Sequence, residues 1–242
     1  MRERNVAFLV SETESAKERT MHKFATPAPV SAVLDVPAGR VQFIAADRAD
    51  TTVEVRPANA SKGRDVKAAE QVEVEYGDGV LRIVAPAAKN QYFGPSGSVE
   101  VTVQLPAGSR IEGKAACAEF RGVGRLGEVA FDGASGAVKL DEAESVRLTA
   151  LAGDVSVGRL NGSAEIRTEK GDIRITEAVR GTVVLSTQVG DVSVGAARGV
   201  SASLDAGTSY GRIRNELKNA DGVAGLEIHA TTAQGDIVAR SL

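Results

Sequence analysis

Gly153-Asp154-Val155-Ser156-Val157, Gly171-Asp172-Ile173-Arg174-Ile175 and Gly190-Asp191-Val192-Ser193-Val194 are one phrase written three times. Weaker copies stand at Gly136-Ala137-Val138-Lys139-Leu140, Gly211-Arg212-Ile213-Arg214-Asn215 and Gly235-Asp236-Ile237-Val238-Ala239. The leading glycines lie 17, 18, 19, 21 and 24 residues apart. A near-constant period of this size marks a repeat architecture, in which one unit buries little alone and stacking supplies the core.

Inside each phrase apolar and polar residues alternate, the period of a strand with side chains on opposite faces. A second short run recurs in each period, at Val146-Arg147-Leu148, Ala164-Glu165-Ile166, Val183-Val184-Leu185, Ala202-Ser203-Leu204 and Leu226-Glu227-Ile228. A period of about 18 residues has no room for a helix and two strands. It does hold one coil of a right-handed β-solenoid. Gly136, Gly153, Gly171, Gly190, Gly211 and Gly235 then turn the corners, where positive φ excludes most side chains. Asp154, Asp172, Asp191 and Asp236 follow them as turn residues. About six coils, about 4.8 Å apart, form a rod. Asn215 to Gly225 is a longer excursion, and Gly235 to Leu242 forms the far end.

Composition agrees. Of 26 glycines, 19 fall in residues 111–242, whereas all seven prolines precede residue 107. Proline lacks the donor that a stacked coil needs. Aromatics make 4% of the chain and there is no Trp, so the core is Val, Ile, Leu and Ala. Net charge is −3, which argues against a nucleic-acid partner. One cysteine excludes an internal disulfide.

The composition shift divides the chain in three. Residues 1–20 are a charged tail, with Ser11 to Thr20 a frayed helix or disordered. Residues 21–110 alternate with period two and read as a largely antiparallel β region. Its marks are a hairpin at Gly77-Asp78-Gly79 and one short helix over 63–70. Residues 111–242 are the solenoid. The apolar stretch Val6 to Val10 is shorter than a signal segment and no run spans a membrane, so the expected compartment is the cytoplasm.

With its repeated GDVSV and GDIRI phrases, its alternating first half and Val36-Pro37-Ala38-Gly39, the chain resembles the bacterial putative-adhesin β-strand-repeat family over residues 21–242. The resemblance implies a domain of unknown function with no enzymatic activity and no catalytic residues.

Candidate chemistry is sparse. The aspartate column suggests a cation ladder or catalytic carboxylates, but turn chemistry explains it more simply, and the Gly-Gly-x-Gly-x-Asp calcium pattern is absent. Gly122-Val123-Gly124-Arg125-Leu126-Gly127 matches a dinucleotide fingerprint but leads into a β run, not the helix that would hold the pyrophosphate. Lys139, Ser156, Arg174, Ser193 and Arg214 form an outward column, read as a solvated face rather than a phosphate stripe. His22 and His229 lack further ligands at metal spacing, and Cys117 reads as a packed thiol.

The expected protein is therefore non-enzymatic, without cofactor or metal. It is a scaffold that binds a protein partner or itself through solenoid edges. A bactofilin-like self-assembling cytosolic polymer is one alternative. A carbohydrate-active β-helix enzyme is the other, disfavoured by the lack of aromatics to stack on sugars.

Overall fold

The computed structural model describes residues 20–85, 97–219 and 224–242. Expectations placed on residues 1–19 lie outside them. The chain begins with β1 (Thr20–Ala25), β2 (Ser31–Ala46) and β3 (Asp50–Pro57). The helix α1 (Gly63–Glu70) follows, then β4 (Glu73–Gly77), β5 (Val80–Val84) and β6 (Val99–Pro106). Two long strands come next, β7 (Arg110–Ser135) and β8 (Val138–Ala152). The rest are short: β9 (Val155–Leu160), β10 (Ala164–Lys170), β11 (Ile173–Ala178), β12 (Gly181–Val189) and β13 (Val192–Ala196). The last are β14 (Ala202–Tyr210), β15 (Ile213–Glu216), β16 (Leu226–Gln234) and β17 (Ile237–Ser241).

Each repeat lays one strand in each of two ribbons. In the first, the second half of β8 pairs in parallel with β10, and β10 with β12. In the second, the first half of β8 pairs with β9, β9 with β11, and β11 with β13. Parallel stacking aligns inward side chains from coil to coil, with a register shift in the β11–β13 pair only after Ile175. Val146, Ala164 and Val183 make one ladder, and Val138, Val155, Ile173 and Val192 another, all buried. Burying each Val or Ile stabilises by about 1.5–3 kcal/mol over leaving it exposed. One core cluster runs from Val30 to Ala239.

Among the described residues of 21–110, three of the five strand pairings are antiparallel, as expected, and two are parallel. β2 pairs in parallel with β5, β6 and β7, so this segment supplies the first coils of the same stack. Pro37 is tolerated within β2 because it falls between the paired Val36 and Ala38 at a position with no register partner. The composition shift near residue 110 leaves no break, since Arg110 of β7 pairs with Ser31 of β2. Antiparallel pairing is confined to the outer edge, where β4 joins β5, β3 joins β6 and β1 joins β3. The hairpin forms as read, with Asp78 at φ +52° and Gly79 at +77°. The helix also spans the expected residues, tied to the start of β6 by the Ser98 N–H donating to the buried Asp65 carboxylate at 3.0 Å. At this end Phe24 of β1 meets Tyr76 of β4, ring centroids 5.4 Å apart, so the two ribbons close on each other.

The C-terminal end departs from the expected order. β16 pairs with β12 on one side and β14 on the other, and β17 with β13 and β15. The last coil in sequence is thus inserted between two earlier ones. Gly235 to Leu242 is interior to the stack, and the end is β14 and β15. The second-run register shifts too: Val183 aligns with Ile228 and Leu204, not with Leu226 and Ala202. The start mirrors this, because β2 lies between the β5–β6 coil and β7.

Candidate functional site

The repeat glycines and aspartates meet along one corner of the stack. Gly136, Gly153, Gly171, Gly190 and Gly235 all take φ between +135° and +152°, a region that L side chains rarely adopt. Space forbids a side chain as well. A Cβ on Gly171 would lie 2.2 Å from the carbonyl oxygen of Gly153, and one on Gly211 would lie 1.9 Å from that of Gly235. Each corner rests on the backbone of the corner before it.

The aspartates connect the same corners. Asp154 Oδ1 accepts the backbone N–H of Asp172 at 2.9 Å, and Asp172 Oδ1 that of Asp191 at 2.8 Å. Asp191 Oδ1 accepts the N–H of Asp236 at 2.7 Å, and Asp236 Oδ1 that of Arg212 at 2.9 Å. This bonding runs from coil to coil rather than within one turn. Arg212 ends the column instead of interrupting it, because no described coil beyond offers an N–H to accept. Its guanidinium Nε lies 3.6 Å from Asp236.

A third element of the corner went unread in the sequence. Thr187 Oγ1 donates to the Gly171 carbonyl at 3.1 Å, Thr232 Oγ1 to Gly190 at 3.0 Å, and Thr208 Oγ1 to Gly235 at 3.1 Å. The signal was available as Thr-x-x-Gly at Thr187-Gly190, Thr208-Gly211 and Thr232-Gly235, with Thr168-Gly171 the earliest copy. There the hydroxyl donates within its own coil, to Lys170 O at 3.3 Å.

Toward the start of the stack the same ridge carries Glu100, Arg40 and Glu119 in neighbouring strands. Arg40 bridges both carboxylates, Nε to Glu119 at 3.0 Å and Nη1 to Glu100 at 3.4 Å. Hydrogen bonding to Glu119 raises its pKa above the ordinary guanidinium value. A shallow groove of about 530 Å³ beside them is lined by Arg40, Glu100, Cys117, Glu119 and Ser135 among others. Cys117 is exposed, not packed, because it sits where β7 passes from one ribbon to the other.

The remaining candidates disperse. Gly122 to Gly127 lies within β7, with no helix after it, which removes the phosphate cradle the fingerprint requires. In the basic column Lys139, Ser156, Arg174 and Ser193 align, but Val238 stands between Ser193 and Arg214. His229 Nδ1 lies 3.4 Å from Asp205 on an exposed face. His22 is half-buried on β1 and stacked on Phe24, and burial lowers its pKa. Among the described residues, no group of three or more His, Cys, Asp or Glu side chains is placed to hold a metal. Nor is any described helix long and apolar enough to cross a membrane.

No curated protein matches the chain. Solved structures do. A putative adhesin from Parabacteroides distasonis is 17% identical, covering 93% of this chain and 97% of that one, with a TM-score of 0.48. One from Bacteroides fragilis is 14% identical, covering 94% and 98%, at 0.46. A putative lipid binding protein from Parabacteroides distasonis is 11% identical, covering 94% and 98%, at 0.43. The model of the Toastrack DUF4097 family, a bacterial domain of unknown function, matches residues 32–241. That span takes in β2, every coil of the stack and the inserted last one, and the chain belongs to the Toastrack DUF4097 family.

Proposed function

We propose that this chain is a non-enzymatic interaction or scaffold protein that works through the outer faces and open end of a right-handed β-solenoid. The observation that carries the reading is the use of the corner carboxylates. Asp154, Asp172, Asp191 and Asp236 are the best candidates for chemistry in the sequence, and each holds a backbone N–H of the next coil. They stand in one exposed column, whereas glycoside hydrolysis needs two carboxylates about 5–10 Å apart across a bound sugar. Parallel strands joined by crossovers wind right-handed in about 98% of cases, which supports that hand.

Chemical cross-linking and pull-down with the full chain, followed by size analysis, tests the proposal. The expected result is a discrete complex with a protein or with a second copy. Hydrolysis of any member of a polysaccharide panel, abolished by Asp172→Asn, would overturn it.

A further inference from the structure

We infer that two copies of this chain pair tail to tail, β15 running antiparallel to β15 of the second copy about a two-fold axis at Asn215. The inference rests on the interaction reading above and names its partner.

The two ends of the stack differ. At the start, antiparallel strands and the Phe24–Tyr76 contact close the core. At the other end, among the described residues, β14 pairs only with β16 and β15 only with β17. Apart from the Ala202 N–H, which Asn219 Oδ1 accepts, their outer N–H and C=O groups form a free parallel edge among the described residues, the kind of edge that templates another strand. The ladder Val138–Val155–Ile173–Val192–Ile237 is buried throughout, and Ile213, its last rung, is 45% exposed. Beyond Glu216 the chain turns back toward β17, with Lys218 N–H on Ser241 Oγ at 2.9 Å, and Asn219 Oδ1 accepts the Ala202 N–H of β14 at 2.9 Å, so among the described residues β15 is the open part of this edge.

Charge selects the occupant. Arg214 and Glu216 lie two apart on β15, hence on one face, and both are exposed. Among the described residues neither has an ion-pair partner. Antiparallel pairing centred on Asn215 sets Arg214 opposite Glu216 of the second copy, and by symmetry does so twice. A two-fold contact uses the same patch on both copies and closes on itself. Head-to-tail stacking would instead bring Asp205 of β14 onto β4, whose free edge carries the exposed Glu73 and Glu75. Like charges facing across strands disfavour that arrangement. The contact therefore gives a dimer and stops, unlike a filament.

Sedimentation velocity of the full chain over a wide concentration range tests this, with thermal melts to confirm that each variant folds. The wild type should reach a dimer and nothing larger. Glu216→Arg should weaken the dimer about tenfold or more, because it creates two like-charge pairs, and adding Arg214→Glu should restore it. Asn215→Cys in a Cys117→Ser background should oxidise to a covalent dimer. Residues directly opposite in antiparallel strands have Cα atoms about 4.5–5.5 Å apart, within disulfide reach. A monomer at every concentration, species that grow past the dimer, or a dimer that Glu216→Arg alone leaves unchanged would each overturn the pairing. A monomer that still captures a protein partner sinks this contact alone, and hydrolysis of glycan sinks the interaction reading alone.

Discussion

Asp191 and Asp236 are 45 residues apart in sequence, yet the Asp236 N–H donates to Asp191 Oδ1 at 2.7 Å. That bond is made because the last coil sits directly on the coil of Asp191. Asp191→Ala should lower stability by about 1 kcal/mol, the range for an exposed hydrogen bond to a carboxylate, or about 2–4 °C in Tm at this size. Asp191→Asn keeps the acceptor and should lose less than half as much. Thermal melts of the two variants check the order.

Gly171→Ala should be far more damaging. The added carbon meets the Gly153 carbonyl oxygen at 2.2 Å and must adopt φ near +143°. Strain of this kind costs about 1–3 kcal/mol before the backbone has moved to relieve the clash. A urea midpoint lower by about 3 kcal/mol equivalent, or no soluble protein, is expected. A variant as stable as wild type would show that the corner is not held as described.

Thr187→Val preserves shape and removes one hydroxyl. Its bond to Gly171 O should account for a loss of about 1 kcal/mol, typical of a neutral hydrogen bond. Thr187→Ser keeps the donor and should restore part of it, as denaturant titration would reveal.

The closed end should soften in acid. Arg48 and then Lys23 hydrogen-bond the Asp50 carboxylate and hold its pKa at about 2, below its ordinary 3.8. A carboxyl pKa lower in the folded state means stability present above about 3.8 and lost as pH falls toward 2. His22 acts in an earlier window. Burial lowers its pKa, so the unfolded chain takes up the proton first, and stability declines as pH drops through 6.5. Proton titration by NMR should place the Asp50 carboxyl near 2 and show Arg48→Ala returning it toward 3.8.

Truncation after Asn219 removes β16 and β17. In a stack ordered like the sequence this would trim one end coil. Here it strips β14 and β15 of the only strands they pair with among the described residues. Hydrogen exchange should find the amides of Ala202 to Glu216 unprotected in the truncated chain and protected in the full one.

The corners, the strands between them and the short helix were legible because each is a local matter of period, φ and turn chemistry. The order of coils was not, since pairing partners are chosen by edges that the chain meets only after folding. Hints were present all the same. The copy at Gly211 has Arg212 where Asp would stand and Asn215 where an apolar rung would stand, as suits a coil with no described neighbour beyond it. The parallel pairing of β2 within residues 21–110 went unread for a related reason. Alternation reports which face is buried and is silent on strand direction. Cys117 was misplaced because a corner exposes its outer residues whatever their hydrophobicity.

Insertion of the last coil also bears on how the protein is made. Synthesis delivers residues at about 5–20 per second, N-terminal first. β14 and β15 leave the ribosome before β16 and β17, so their slot stands empty while they wait. A regular solenoid can settle coil by coil as it emerges. This one must hold its tail open until β16 and β17 have emerged, and those two strands lock the stack.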